Sequence, residues 1–134
     1  YGNFGQTNYG AAKLAQVGFM NSLKIEGAKN NIHTNTIAPI AATRMTESLI
    51  PEAVHSKLAP ESVTPAALFL VSEEAPNGVI MQAEGGRFSV ASIVENTGAQ
   101  LGVDATPEDI ASNYDMISDL EGAKPKGMMQ INLP

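Results

Sequence analysis

A long helical stretch that runs almost directly into a strand is the strongest constraint on how this chain folds. From Thr7 to about Asn30, small or apolar groups recur at three- and four-residue steps through Ala11, Leu14, Ala15, Gly18, Phe19, Ser22, Leu23 and Ile25. That is the period of a helix with one buried face. Gly27 and the Asn30-Asn31 pair supply its stop, because both residue types tolerate the left-handed conformation at a helix end. The β-branched run from Ile32 to Ala38 then predicts a short strand that enters a loop at Pro39.

The same succession occurs a second time. The residues from Pro39 to about Ser48 are small or hydroxylic and surround Arg44, and 51–58 carries a weak amphipathic pattern of a short helix. Thr64 as cap and Pro65 as first helical residue open another helix through Val71. Glu73 to Gly78 breaks it, and Val79–Ala83 reads as a second buried strand bounded by Asn77-Gly78 and Gly85-Gly86. Helix, strand, loop, helix, strand is the order of an α/β fold. Beyond Gly86, Phe88–Val94 reads as extended and Thr97–Ala105 as a glycine-punctuated loop. Thr106-Pro107-Glu108-Asp109 has the cap, the proline and the back-bonding acid of a helix start. Ile110, Tyr114, Ile117 and Leu120 form one apolar stripe on that helix to about Glu121, and Gly122–Pro134 reads as a mostly irregular tail.

Composition narrows the function classes. With 134 residues, 43% of them hydrophobic, the chain has material for one domain with a core. Eight Lys plus Arg against fourteen Asp plus Glu give a net charge of −6, and the basic residues do not cluster. Nucleic acid and anionic lipid are therefore not expected partners. No apolar run reaches the roughly 18–20 residues of a membrane span. The absence of Cys excludes a disulfide scaffold and thiolate chemistry and favours an intracellular setting. His33 and His55 stand alone, with no second ligand at metal-binding spacing. The first residue is Tyr1, in a glycine-spaced stretch that reads like the middle of a domain, so a fragment of a longer protein is expected.

Chemistry concentrates in Tyr9-Gly10-Ala11-Ala12-Lys13. A four-residue step places the phenol and the ammonium on one helix face, roughly 6 Å apart at Cβ. A free phenol has a pKa of about 10, and a neighbouring cation favours its ionised form, which equips it for proton transfer near neutral pH. The small residues between them leave room for a flat ligand. Spacing alone leaves both an ordinary solvated pair and an acid–base pair open.

The surrounding text adds to this. Asn3-Phe4-Gly5-Gln6-Thr7-Asn8-Tyr9-Gly10-Ala11-Ala12-Lys13, followed by Asn35-Thr36-Ile37-Ala38-Pro39, resembles the second half of a short-chain dehydrogenase/reductase. The resemblance implies that Tyr9 exchanges a proton with the substrate oxygen, while Lys13 lowers the pKa of that phenol and bonds the nicotinamide ribose. It further implies that Pro39, Ile40, Ala41 and Ala42, with the hydroxyl of Thr43 or Thr46, hold the nicotinamide amide. Many members have Gly directly after that proline, where this chain has Ile40-Ala41-Ala42.

Tyr1 to Gln6, Ile32 to Pro39 and Arg44-Met45-Thr46 are most similar to the subgroup of (3R)-hydroxyacyl-CoA dehydrogenase units found in peroxisomal multifunctional enzymes and in stand-alone bacterial relatives. The fold so implied is the C-terminal half of a doubly wound, Rossmann-like parallel sheet over residues 1–88. A C-terminal extension over 89–134 would carry a helix at about 107–121. The implied activity is NAD-dependent oxidation of a 3-hydroxyacyl-CoA to the 3-oxoacyl-CoA, in a homodimer, cytoplasmic in a bacterium and peroxisomal in a eukaryote. The glycine-rich pyrophosphate turn and the substrate-polarising serine of the family have no counterpart here, and Ser22 and Ser48 do not replace the serine. Both are expected in a preceding N-terminal half, which would also decide between NAD and NADP. An NADP-dependent 3-oxoacyl or steroid/alcohol reductase is the alternative within the family. A non-catalytic assembly module, docking through Leu14, Phe19 and the C-terminal helix, is the alternative outside it. Arg44 is open to a phosphate-binding role or to an ion pair with Glu47. Glu73-Glu74 reads as a solvated helix end, and Met128-Met129 as an apolar cover or docking contact.

Overall fold

In a computed structural model, which describes residues 2–46 and 50–126, helix α1 spans Thr7–Ala28 and buries Val17, Met20 and Gly27. These lie in one row at three- and seven-residue steps. Leu14, Phe19 and Ile25, part of the apolar set read from the sequence, are instead exposed, Phe19 at 68%. The chain returns close against the last turn of the helix. An added Cβ on Gly27 would stand 3.0 Å from both Cβ and the carbonyl oxygen of Ile32, so Gly27 permits close approach rather than a left-handed stop. Asn31 makes the stop, with φ +55°. The Ile32 N–H donates to Gly27 O at 3.1 Å and the Asn31 N–H to Ala28 O at 3.1 Å, the paired bonds of a Schellman cap.

Strand β1, Thr36–Ile40, pairs in parallel with β2, Ile80–Glu84, in a register that sets Thr36 beside Ile80 and Ile40 beside Glu84. The parallel pairing and the intervening helix α2, Thr64–Leu70, make this an α/β fold. Strand β1 begins later than predicted and runs through Pro39 to Ile40. Pro39, which has no N–H to give a ladder, is the next-to-last residue of β1, and among the described residues the strand order is β1-β2-β3. The entrance to the sheet is tied by Asn35. Its Nδ2 donates to Pro76 O at 2.7 Å, and its Oδ1 accepts from the Val79 N–H at 3.0 Å.

The extended segment after Gly86 is strand β3, Arg87–Ala91, antiparallel to β2. It adds an antiparallel edge to a parallel sheet. Gly85 and Gly86, at φ +51° and +84°, form the two-residue turn with two positive φ angles that best matches the twist of a hairpin. Thr64 does not act as a cap. It is itself helical, with φ −53° and ψ −43°, because a 3₁₀ segment at Pro60–Val63 already supplies helical backbone before it. The weak segment at 51–58 is a 3₁₀ helix, Glu52–Leu58. The buried apolar side chains among the described residues are Val17, Met20, Ala66, Ala75 and Ala83. Met20 also accepts the Thr36 hydroxyl at its sulfur, at 3.1 Å.

The chain divides into two compact units, Tyr1–Ala91 and Ser92–Pro134. In the second, β4, Val94–Glu95, pairs antiparallel with β5, Lys124–Pro125, so part of the expected irregular tail is a short ribbon. The Lys126 ammonium and Glu95 carboxylate close it at 2.9 Å. The expected helix at 107–121 is two helices, α3, Pro107–Ser112, and α4, Tyr114–Ser118. Asn113, at φ −111° and ψ 11°, interrupts them, and its side chain turns back to donate to Asp109 O at 2.8 Å. The apolar stripe is broken accordingly, with Ile110, Tyr114 and Leu120 exposed. The start of α3 is as expected. Thr106 Oγ1 accepts the Asp109 N–H at 3.2 Å, and Asp109 accepts the Thr106 N–H at 2.9 Å. No helix among the described residues is long and apolar enough to cross a membrane.

Candidate active site

Tyr9 and Lys13 stand on the first turns of α1. The approach is a turn in which the Gln6 N–H donates to Asn3 O at 3.1 Å, with Gly5 at φ +75°. Asn8 Oδ1 then accepts the Tyr9 N–H at 2.8 Å and satisfies one of the unpaired amides of a helix start. The four-residue step does bring the two side chains together. The Lys13 ammonium lies 5.4 Å from the centroid of the Tyr9 ring, within the range of attraction between a cation and an aromatic face. Tyr9 remains 56% exposed, so its hydroxyl is open to a ligand.

The expected nicotinamide wall is split between strand and loop. Pro39 and Ile40 close β1, and Ala41 to Thr46 form the loop. Thr46 organises that loop with one hydroxyl. Its Oγ1 accepts the Thr43 N–H at 2.8 Å and is 3.1 Å from both Ala41 O and Thr43 O, to which it donates its single proton. Thr43 Oγ1 shares a long hydrogen bond with Thr46 Oγ1 at 3.4 Å, and Thr43 is an exposed residue. Sequence reasoning treats the two threonines as equals. The loop path distinguishes them, leaving Thr43 as the hydroxyl that can serve a ligand. The Ala42 N–H donates to Leu58 O at 2.7 Å, a tie to a distant segment that no local pattern announces.

A groove of about 420 Å³ lies against the sheet beside this wall, lined by Ala38, Pro39, Ile40, Gln82, Ala83, Glu84, Arg87 and Ser89. The register explains the lining. Ala38, Gln82 and Ser89 are cross-strand neighbours, as are Ile40, Glu84 and Arg87, and residues two apart along a strand share a face. Ser89 Oγ donates to Gln82 Oε1 at 2.8 Å. The volume is that of a small-molecule site. Of the residues expected at the nicotinamide, Pro39 and Ile40 line this groove, whereas Lys13, Ala41, Ala42, Thr43 and Thr46 do not, and neither does Tyr9. Among the described residues no glycine-rich turn joins a strand to a following helix, so the pyrophosphate of a dinucleotide finds no cradle there.

The other polar groups weighed in the sequence have structural partners or none of the expected ones. His33 Nδ1 donates to Ala75 O at 2.9 Å, and His55 Nε2 to Ile50 O at 2.9 Å. The Ser22 hydroxyl donates to Gly18 O within its own helix, at 3.2 Å. Arg44, Glu73 and Glu74 are exposed. Among the described residues no three His, Cys, Asp or Glu side chains are grouped to hold a metal ion. Glu47, Ser48 and Met128-Met129 lie outside the described residues.

Comparison with known proteins gives a consistent set of relatives. No family model matches. A short-chain type dehydrogenase/reductase of Mycobacterium tuberculosis is 48% identical over 128 residues, which cover 95% of this chain and 45% of that protein. Peroxisomal multifunctional enzyme type 2 of Mus musculus is 42% identical over 135 residues, 97% of this chain and 18% of the enzyme. Among solved structures, full-length peroxisomal multifunctional enzyme type 2 from Drosophila melanogaster superposes with a TM-score of 0.80 at 33% identity, over 96% of this chain and 24% of that one. A short chain dehydrogenase from Mycobacterium avium gives 0.64 at 31% identity, over 90% and 41%. The chain thus spans less than half the length of these relatives.

Proposed function

This chain belongs to the short-chain dehydrogenase/reductase family, and from that premise we propose that it supplies the acid–base pair and one wall of the nicotinamide site of an oxidoreductase acting on a (3R)-3-hydroxyacyl-CoA. The observation that carries the proposal is the Lys13 ammonium set 5.4 Å from the ring of an exposed Tyr9. A bound nicotinamide supplies the hydride acceptor. Everything else in the step falls to side chains. The Tyr9 oxygen takes the proton of the substrate hydroxyl as the C–H bond gives up its hydride, leaving the 3-oxo product. Lys13 holds positive charge beside the phenol and bonds the nicotinamide ribose, and Thr43, with Pro39 to Ala42, holds the amide end. Proton transfer by a positioned group of this kind contributes about 10²- to 10⁴-fold to rate.

The acyl-CoA class is supported by similarity to the multifunctional enzymes, whose names also support a peroxisomal location should the source be a eukaryote; in a bacterium this reading places the protein in the cytoplasm. The dinucleotide is NAD in this reading. Unit Tyr1–Ala91 is then the C-terminal part of the nucleotide-binding domain and Ser92–Pro134 its extension, in a homodimer. The test is turnover by the full-length protein on (3R)- and (3S)-3-hydroxyacyl-CoA with NAD and with NADP. Activity confined to the R substrate and faster with NAD is expected. No turnover of either substrate with either dinucleotide would overturn the proposal, and preference for NADPH-driven reduction of the 3-oxoacyl-CoA would move it to the reductase alternative.

A further inference from the structure

The hairpin turn between β2 and β3 touches the segment that anchors the nicotinamide loop. Gly85, at φ +51°, is packed so closely that an added Cβ would stand 2.8 Å from Lys57 O and 3.2 Å from Leu58 Cδ2. The nearer atom belongs to the backbone, so no rotamer change relieves the overlap. Lys57 and Leu58 end the 3₁₀ helix Glu52–Leu58, and the carbonyl of Leu58 accepts the Ala42 N–H at 2.7 Å. Gly86, the other turn residue, has a similar backbone conformation at φ +84°, yet an added Cβ there would meet nothing within 4 Å. The turn geometry needs both glycines, whereas only Gly85 is in contact with the anchor.

We propose that Gly85 is a positioning residue, whose bare Cα lets Lys57-Leu58 seat against the hairpin turn and so fixes, through the Leu58 carbonyl, the place of the loop from Ala41 to Thr46. The assignment of that loop to the nicotinamide amide rests on the function proposed above. The mechanical coupling does not depend on it. A packed backbone contact is stiff, and a shift of a few tenths of an ångström at Lys57 O passes directly to a hydrogen bond as short as that of Ala42. The hairpin itself is held by its own ladder from Glu84–Arg87 to Ile80–Ala91, which makes it the fixed member of the pair.

The two glycines provide an internal control. Gly85→Ala and Gly86→Ala both impose positive-φ strain on the same turn, the greater at Gly86 with φ +84° against +51°, but only the first places a methyl group against Lys57. In the full-length protein, amide hydrogen exchange at Ala42 should accelerate at least about tenfold in Gly85→Ala and remain unchanged in Gly86→Ala, with the β2–β3 ladder amides equally protected in both. Should Gly85→Ala lose its ladder protection, Gly85→Asn, which tolerates positive φ, replaces it beside Gly86→Asn. Equal Ala42 exchange in the two variants of a pair would overturn the proposal. Dinucleotide affinity, measured on the same proteins, reads the other question. A weaker Kd accompanying faster Ala42 exchange supports the loop as the nicotinamide site, whereas an unchanged Kd beside faster exchange upholds the coupling and contradicts that assignment.

Discussion

Thr46 and Thr43 stand three positions apart in one loop and differ in how much of that loop their hydroxyls hold. The Thr46 hydroxyl is engaged by its own loop on both its accepting and its donating side, whereas the exposed Thr43 has one long hydroxyl contact, at 3.4 Å to Thr46 Oγ1. Thr43→Val should weaken dinucleotide binding by about tenfold, the worth of one net hydrogen bond, without changing the loop. Thr46→Val should weaken it as much or more, and in addition speed exchange of the Thr43 amide, whose acceptor is lost. Isothermal titration with amide exchange on the same samples separates the two. Asp109 carries a pH signature. The backbone N–H and then the hydroxyl of Thr106 hold its carboxyl below the ordinary value of 3.8. A carboxyl lowered in the folded state stabilises it fully above the ordinary value and ceases to do so as pH falls through the lower folded one. Order in α3, followed by NMR, should therefore decline only below about pH 4, and Thr106→Ala should raise that midpoint. The Tyr9–Lys13 pair was legible because a four-residue step on one helix fixes proximity by itself. The division of labour between Thr43 and Thr46 was not, because it depends on which way the loop folds back.

At the level of elements, most of what was readable is local. The capping residues of α3, the extent of α1 and the parallel strands all follow from sequence within a few residues. What was not readable depends on residues far apart. Among the described residues α1 buries Val17, Met20 and Gly27, with Ile32 close against Gly27, and β1 continues through Pro39 to Ile40. The expected C-terminal helix is interrupted at Asn113, whose side chain and backbone N–H both reach Asp109 O, a local side-chain bond that an apolar period does not register. The left-handed Asn31 gives this scale its test. Asn31→Gly should leave stability unchanged or slightly raised, while Asn31→Val should lose about 1 kcal/mol or more, as read by denaturant unfolding of the full-length protein.

For the whole molecule, the buried apolar set is small, chiefly alanines with Val17 and Met20, while Leu14 at 58% and Phe19 at 68% stay exposed. Burial on that scale gives little free energy against the entropy of ordering the chain. The 134 residues by themselves should unfold over a broad range without a sharp transition, and the full-length protein should unfold cooperatively with Leu14 and Phe19 protected. Calorimetry of both checks this. Proton transfer by Tyr9 is tested by single-turnover formation of reduced nicotinamide by the full-length protein bound to NAD and a (3R)-3-hydroxyacyl-CoA, with Tyr9 and with Tyr9→Phe. The chemical step should fall by about 10²-fold or more in Tyr9→Phe with the dinucleotide Kd unchanged; an equal rate in the two proteins would remove Tyr9 from the proton transfer.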